Sequence, residues 1–266
     1  MSDSSSFMDK HHFLLRRLHS LAGVLPIGVF LIMHLTTNSS VVWAEALGRD
    51  GAETFQHEVN FIHSMPGLIL IEIFGLWLPI FFHSIFGFYY AFSGRSNAAS
   101  YPYGGSWRYS LQRWTGYVGF LFILFHIATL RWGWDFLPFS SGFDAHSAAS
   151  TTALALRGGP DASTLGGIFN MVLYLGGVSA LVYHFANGLW TWAITWGITV
   201  SPQAQKRWGY VCAVVGLGLL GAGWSAYFGF VALDIEAAQE TELRMRAPGH
   251  AEAEPLSSSP LLSEEH

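Results

Sequence analysis

The sequence predicts an all-α membrane protein, built as a bundle of five transmembrane helices. Its composition is the first indication: 51% of the 266 residues are hydrophobic and only 12% are charged, whereas a typical soluble domain has about 25% charged residues. Five long, nearly continuous apolar segments are the second, because about 20 helical residues cross the hydrocarbon of a bilayer. These segments are residues 14–37, 66–92, 111–132, 165–196 and 210–233.

The first segment follows a short charged stretch, an arrangement that signal peptides share. Its apolar run is too long for the core of a signal peptide, and it lacks a small-x-small cleavage site, so we expect a retained helix. The first segment contains Pro26, and the second contains Pro79. Proline inside a membrane helix is tolerated because neighbouring groups can satisfy the freed carbonyls.

The distribution of Lys and Arg predicts how the five helices are oriented. The N-terminal flank and the loops after the second and fourth segments contain eight of these residues, and the longer segments on the other side contain five. Because positively charged loops stay in the cytoplasm, we expect a cytoplasmic N-terminus and an external C-terminus.

The composition also divides the chain into three parts. Residues 1–13 form a cytoplasmic segment, residues 14–233 form the membrane bundle, and residues 234–266 are predicted to be an acidic, disordered external tail. The loop at residues 133–164, rich in Gly, Ser, Ala and Thr, is expected to fold as a small cap over the outer face. Cys212 is the single cysteine, so any iron–sulfur cluster must belong to a partner chain.

The most informative residues are four histidines inside the first four apolar segments: His34, His83, His126 and His184. An ionisable residue in hydrocarbon is costly and indicates a functional site, although a single one is more often a hydrogen-bonded core residue. The first and third helices run outward and carry their histidines late, in the outer half of the membrane. The second and fourth run inward and carry theirs late, in the inner half.

Two histidines at each level predict that the bundle encloses two haems b. Neutral imidazole is a good iron ligand, and a haem with two such ligands mainly transfers electrons; zinc would need three or four ligands at one depth. Gly87 and Gly188 follow two of the histidines by four residues, on the same helix face, and would leave a flat surface for the macrocycle. Gly116 and Gly119 lie before His126. Ordinary close packing of helices is the alternative explanation for each glycine.

Four motifs carry a resemblance to a known family. They are FLLRRLHSLAGVLPIGVFLIMHL, EIFGLWLPIFFHSIFGFYYAF, LQRWTG followed by FHIATLRW, and YHFANGLWTWAITWGITVSPQAQKR. Over residues 13–207 the chain resembles the cytochrome b558 type of succinate dehydrogenase subunit, the single-anchor, two-haem form of Gram-positive and related bacteria.

The resemblance implies a place in a respiratory complex of the bacterial cytoplasmic membrane. Family members bind a flavoprotein subunit with FAD and an iron–sulfur subunit on the cytoplasmic face, and pass electrons from succinate to a quinone, commonly menaquinone. If the ligand roles of the family apply to the matching positions of this chain, His83 and His184 would ligate the haem nearer the iron–sulfur subunit. His34 and His126 would ligate the distal haem. Related fumarate reductases place a proton-conducting glutamate where this chain has Val182, so that pathway is not expected here.

Further site residues are predicted at the two ends of the bundle. Arg17, His19 and Ser20 lie where the first helix enters the membrane, and Arg113 lies at the start of the third. Such groups could bind anionic haem propionates, as the resemblance also implies for His19 and Ser20, whereas ordinary positive-inside anchoring is the alternative for the arginines. Glu72 is the one carboxylate well inside a segment. It is a candidate for proton exchange with quinone, and a neutral, hydrogen-bonded acid is the alternative.

Two other functions remain open at this point. The chain could anchor another respiratory enzyme, such as a hydrogenase or a formate dehydrogenase, although the long fourth motif favours succinate dehydrogenase. A haem-free transporter would leave four intramembrane histidines unexplained. The direction of electron flow, the quinone type, the haem potentials and a dimer or trimer of the whole complex are not determined by the sequence.

Overall fold

The computed structural model describes residues 7–93, 104–134, 136–137, 142–159 and 162–246, and in these residues every regular element is a helix. The predicted all-α fold class is therefore confirmed. The α-helices are α1 Phe7–Val24, α2 Pro26–Ala46, α3 Gly51–Ser64, α4 Leu68–Glu72, α5 Leu78–Ser93, α6 Gly104–Leu130, α7 Ala148–Leu156, α8 Thr164–Thr195, α9 Pro202–Ala232 and α10 Ile235–Arg246. A π-helical segment, Ile73–Trp77, joins α4 to α5, and a 3₁₀ turn, Ala145–Ser147, precedes α7.

Within the described ranges, five stretches of helix are long and apolar enough to cross a membrane, and each overlaps one of the five predicted segments. They are Lys10–Ala46, Leu68–Ser93, Trp107–Leu130, Thr164–Thr195 and Pro202–Ala232. Large apolar side chains cover their outer surfaces; Phe81, Leu121 and Leu217, for example, are each about two-thirds exposed. A surface of this kind is stable in lipid and costly in water. The chain is therefore a multi-pass membrane protein.

Each proline of the first two spans marks a local change in the helix. α1 ends at Val24 and α2 begins at Pro26, the first-turn position at which a missing N–H costs no helical hydrogen bond. Pro79 follows the π-helical segment, in which the N–H of Leu78 donates to the carbonyl of Ile73. A widened turn gives the pyrrolidine ring room beside the preceding turn of the helix.

The bundle is organised around α8. This helix packs against α6, α9 and α1, while α2 packs against α9 and α5 lies mainly against α1. Leu35, Val182, Phe185 and Leu219 form a buried cluster where α2, α8 and α9 meet. α5 packs only lightly against α6.

A cap of short helices covers the end of the bundle at which α2 and α6 finish. α3, α7 and α10 pack on one another there. Of these, only α7 belongs to the loop between the third and fourth spans. The N-terminus of α7 holds them together. Its first amide, from Ala148, donates to Gln56 on α3, and its third, from Ser150, donates to Glu242 on α10.

The predicted disorder of the tail is wrong for its first part. Residues 235–246 form α10, and the Glu242 side chain on this helix is fully buried. The acidic composition suggested a solvated chain, but this carboxylate is anchored on the positive end of α7. The rest of the predicted tail, residues 247–266, lies outside the described residues.

Candidate functional site

The four intramembrane histidines meet as two pairs, each formed by helices that are not neighbours in the chain. The rings of His83 on α5 and His184 on α8 have centroids 6.0 Å apart and planes at 85°. The rings of His34 on α2 and His126 on α6 have centroids 5.7 Å apart and planes at 82°. The pairing in space is the one that the topology predicted.

The His83–His184 pair is held by backbone carbonyls. Nδ1 of His83 lies 3.0 Å from the carbonyl oxygen of His19, and Nδ1 of His184 lies 3.0 Å from that of Gln112. A ring N–H that donates to a carbonyl fixes the tautomer and leaves Nε2 as the free electron pair. This arrangement is typical of imidazoles that bind a metal.

Gln112 was not singled out by the sequence, and the structure places it at the centre of this arrangement. Besides its backbone contact with His184, its side-chain amide donates to the carbonyl of His184 at 3.0 Å. Its side-chain oxygen accepts a bond from Asn187 at 2.8 Å. One residue of α6 therefore binds two successive turns of α8. A glutamine at the start of a membrane helix gives little indication of such a role.

The His34–His126 pair lies among aromatic rings instead. Phe30 stacks on His34, with centroids 5.2 Å apart, and Phe122 and Tyr174 lie 5.6 and 5.9 Å from His126. Within the described part of the chain, the buried Nδ1 of His126 has no hydrogen-bond partner. The side-chain amide of Asn38 lies 3.5 Å from both ring nitrogens of His34.

The two pairs lie at different heights in the bundle. The ring of His83 lies against Gly23 of α1, and the ring of His184 lies against Gly116 of α6. Gly23 precedes His34 by 11 residues, and Gly116 precedes His126 by 10. At 1.5 Å per helical residue, these two offsets correspond to a separation of about 15–17 Å along the bundle.

The geometry fits one iron between the rings of each pair. Two imidazoles that bind one metal from opposite sides, at metal–nitrogen distances near 2 Å, have centroids about 6 Å apart. Both pairs are close to this value. Among the described residues, no three His, Cys, Asp or Glu side chains converge to form a larger metal site. A haem, whose iron would need only two imidazoles from the protein, would suit this donor set.

Three of the residues predicted to bind propionates lie near His83. The ring of His19 stacks on that of His83 at 4.1 Å, with planes at 10°. The hydroxyl of Ser20 donates to the carbonyl of Arg17 and accepts a bond from the indole of Trp196. The Arg17 guanidinium lies 5.3 Å from the ring of Trp196, and its buried Nε has no partner in the described part of the chain.

The fourth predicted propionate residue, Arg113, has a different setting. Its guanidinium donates to the carbonyl of Ala91 near the end of α5 and lies 5.5 Å from the ring of Tyr109. It therefore links the ends of the second and third spans.

Glu72 is not enclosed in the bundle. It ends α4, directly before the π-helical segment, and both of its oxygens accept bonds from Arg131 at 3.1 and 2.9 Å. Its side chain is 23% exposed, so most of the carboxylate is covered by the protein. The ring of Trp77, at the end of the same π-helical segment, stacks on that of Trp132, and Trp134 lies beside Trp132.

These observations define a helical, multi-pass membrane protein with two intramembrane histidine pairs, one above the other. No family model matches the chain. Over 219 residues, however, the chain is 35% identical to the succinate dehydrogenase cytochrome b558 subunit of Bacillus subtilis (strain 168), an alignment that covers 82% of this chain and 97% of that protein. The chain therefore belongs to the family of succinate dehydrogenase cytochrome b558 subunits.

Proposed function

We propose that this chain is the membrane anchor of a succinate:quinone oxidoreductase, carrying electrons from an iron–sulfur subunit through two haems b to a membrane quinone such as menaquinone. The observation that carries this proposal is the meeting of imidazoles from different helices at two heights about 15–17 Å apart. Two cofactor sites in series divide the crossing of the membrane into shorter steps.

The histidines would act as axial ligands. His83 and His184 would hold the haem nearer the iron–sulfur subunit, and His34 and His126 would hold the distal one. Haem b would supply one-electron transfer when bound, and an iron held by two imidazoles would not bind oxygen. The residues of the chain supply the orientation of the rings and an apolar surrounding that excludes water.

Arg17, His19 and Ser20 are proposed to bind propionates of the haem at the His83–His184 level. The buried Nε of Arg17 is a donor without a partner in the described part of the chain. Burying such a donor is costly unless a ligand satisfies it. A propionate is an acceptor of suitable charge. Arg113 at the same end of the bundle, whose guanidinium also donates to the carbonyl of Ala91, is proposed to contribute positive charge to the propionates.

Glu72 is proposed to exchange protons with the quinone. Its ion pair with Arg131 lies near the stacked rings of Trp77 and Trp132, and flat aromatic surfaces favour contact with a planar quinone ring. A carboxylate at hydrogen-bonding distance can deliver or accept the proton that quinone chemistry requires. The ion pair would keep this carboxylate in place.

The proposed partner subunits supply the iron–sulfur clusters and the flavin that this electron transfer requires. Its one cysteine, Cys212, is buried and cannot supply an iron–sulfur cluster. A flavoprotein subunit with FAD and an iron–sulfur subunit are therefore proposed to bind the end of the bundle that carries most of the Lys and Arg residues. With that end in the cytoplasm, the N-terminus is cytoplasmic and the C-terminus is external in a bacterial cytoplasmic membrane.

Purification of the intact complex tests this function. We expect a flavoprotein and an iron–sulfur subunit to co-purify with the chain, two low-spin haems b per chain, and reduction of both haems by succinate. Co-purification of a molybdopterin or nickel subunit would assign the chain to another enzyme. A single haem, or a high-spin signal from a five-coordinate iron, would contradict the two bis-histidine sites.

A further inference from the structure

The two imidazoles of the His83–His184 pair are bound in the same way on two different helices. His83 is bound to the carbonyl of residue 19 on α1, and a glycine follows four residues later, at position 23. His184 is bound to the carbonyl of residue 112 on α6, and a glycine again follows four residues later, at position 116. The repetition on unrelated segments indicates a common physical cause.

That cause is access to a helical carbonyl. In an α-helix the carbonyl of one residue points toward the residue four positions later, and the side chain of that later residue leans back over the same turn. Glycine at the later position leaves the carbonyl open to a group from a neighbouring helix. A Cβ at position 23 would lie 2.6 Å from Cε1 of His83, and one at position 116 would lie 3.1 Å from Cε1 of His184.

We propose that Gly23 and Gly116 are positioning residues for the His83–His184 pair, each exposing the helix carbonyl to which one imidazole Nδ1–H is bound. The two bonds fix the orientation of both rings and leave Nε2 of each ring free to bind a metal. The inference rests on the proposed function, since it assigns these rings to one haem. The His34–His126 pair has no such support in the described residues, so the two glycines act at one level only.

The approach distances predict a graded effect. At 2.6 Å the His83 ring must move when position 23 gains a methyl group, and its bond to the carbonyl of His19 is lost. At 3.1 Å the His184 ring has to yield only by a few tenths of an ångström. Loss of a hydrogen bond that orients a metal-binding imidazole typically weakens metal binding about 10- to 100-fold. We expect an effect of this size for Gly23→Ala and a smaller one for Gly116→Ala.

The chain offers two matched controls. Gly119→Ala adds a methyl group 2.5 Å from the Leu181 side chain, on the same helix as Gly116 but against a flexible aliphatic group. Gly176→Ala adds one where no atom lies within 4 Å. The first control separates the effect on the imidazole from a general effect of tighter packing between α6 and α8. The second measures the effect of alanine itself.

The experiment compares the four variants in the purified complex by haem content, by the low-spin electron paramagnetic resonance signals, and by the rate of haem transfer to apomyoglobin. We expect Gly23→Ala, and to a lesser degree Gly116→Ala, to shift one low-spin signal and to speed the loss of one haem about 10-fold or more. The second signal should stay unchanged, which shows that the bundle is folded. Both controls should match the parent.

Two results would overturn the positioning role: Gly23→Ala and Gly116→Ala complexes with the parent's spectra and haem retention, or an equal change in Gly119→Ala. If Gly23→Ala fails to assemble, the milder Gly116→Ala decides the outcome against Gly119→Ala. Failure of the proposed function gives a different result, because the parent complex itself would then lack two low-spin haems.

Discussion

Glu242 links the cap helices, and its replacement is predicted to release α10. The carboxylate accepts a bond from the N–H of Ser150 at 3.0 Å and another from the hydroxyl of Ser150 at 2.6 Å. Both atoms belong to the first turn of α7, where the helix dipole favours a negative charge. Glu242→Leu removes both bonds and leaves a buried N–H on α7 without an acceptor.

The size of the effect follows from these two bonds. A hydrogen bond to a charged group contributes about 1.5–3 kcal/mol, so the pair contributes about 3–6 kcal/mol to the contact between α10 and α7. Each 1.4 kcal/mol changes an equilibrium about tenfold. The fraction of molecules with α10 released is therefore expected to rise at least a hundredfold.

Hydrogen exchange measured by mass spectrometry tests this prediction on the amides of α10. Exchange in Glu242→Leu should be at least about a hundredfold faster than in the parent, while the amides of α8 are unchanged. Glu240→Leu is the matched control, because Glu240 is exposed and lies two residues earlier on the same helix. Equal exchange rates in Glu242→Leu and the control would refute the reasoning.

Three further predictions concern the bundle. Arg17→Met should speed haem loss from one level about tenfold in the apomyoglobin assay, because a buried donor to a propionate is removed, whereas Met at the exposed Arg16 should not. Gln112→Leu should lower the free energy of unfolding by about 1–3 kcal/mol in a detergent denaturation series, because Asn187 is left without its acceptor. Glu72→Gln should slow quinone turnover about a hundredfold with little change in thermal stability, since an exposed ion pair contributes about 0–1 kcal/mol; a normal turnover rate would remove Glu72 from the mechanism.

The sequence predicted the features that depend on one segment at a time. Long apolar runs identify membrane helices whatever their neighbours are, and the alternating direction of the spans is enough to assign each histidine to a level. The meeting of His83 with His184, and of His34 with His126, follows from these two facts. The pairing of the four histidines at two levels could therefore be predicted from the sequence alone.

Apart from the histidine pairs, contacts between distant segments were not predicted. Glu242 is buried because Ser150, 92 residues earlier, presents an N–H and a hydroxyl to it, and an acidic stretch taken alone predicts solvent exposure. Arg131, 59 residues after Glu72, likewise gives this carboxylate a charged partner that its own segment does not reveal. The role of Gly23 and Gly116 likewise depends on a second helix, because each exposes a carbonyl to an imidazole that another helix carries.

The most direct test of the account is to replace each of the four histidines by alanine, one at a time, and to count the low-spin haem signals of the purified complex. His83→Ala and His184→Ala should remove the same signal, and His34→Ala and His126→Ala should remove the other. Loss of different signals within a pair, or two unchanged signals after any one replacement, would contradict the assignment of one haem to each pair.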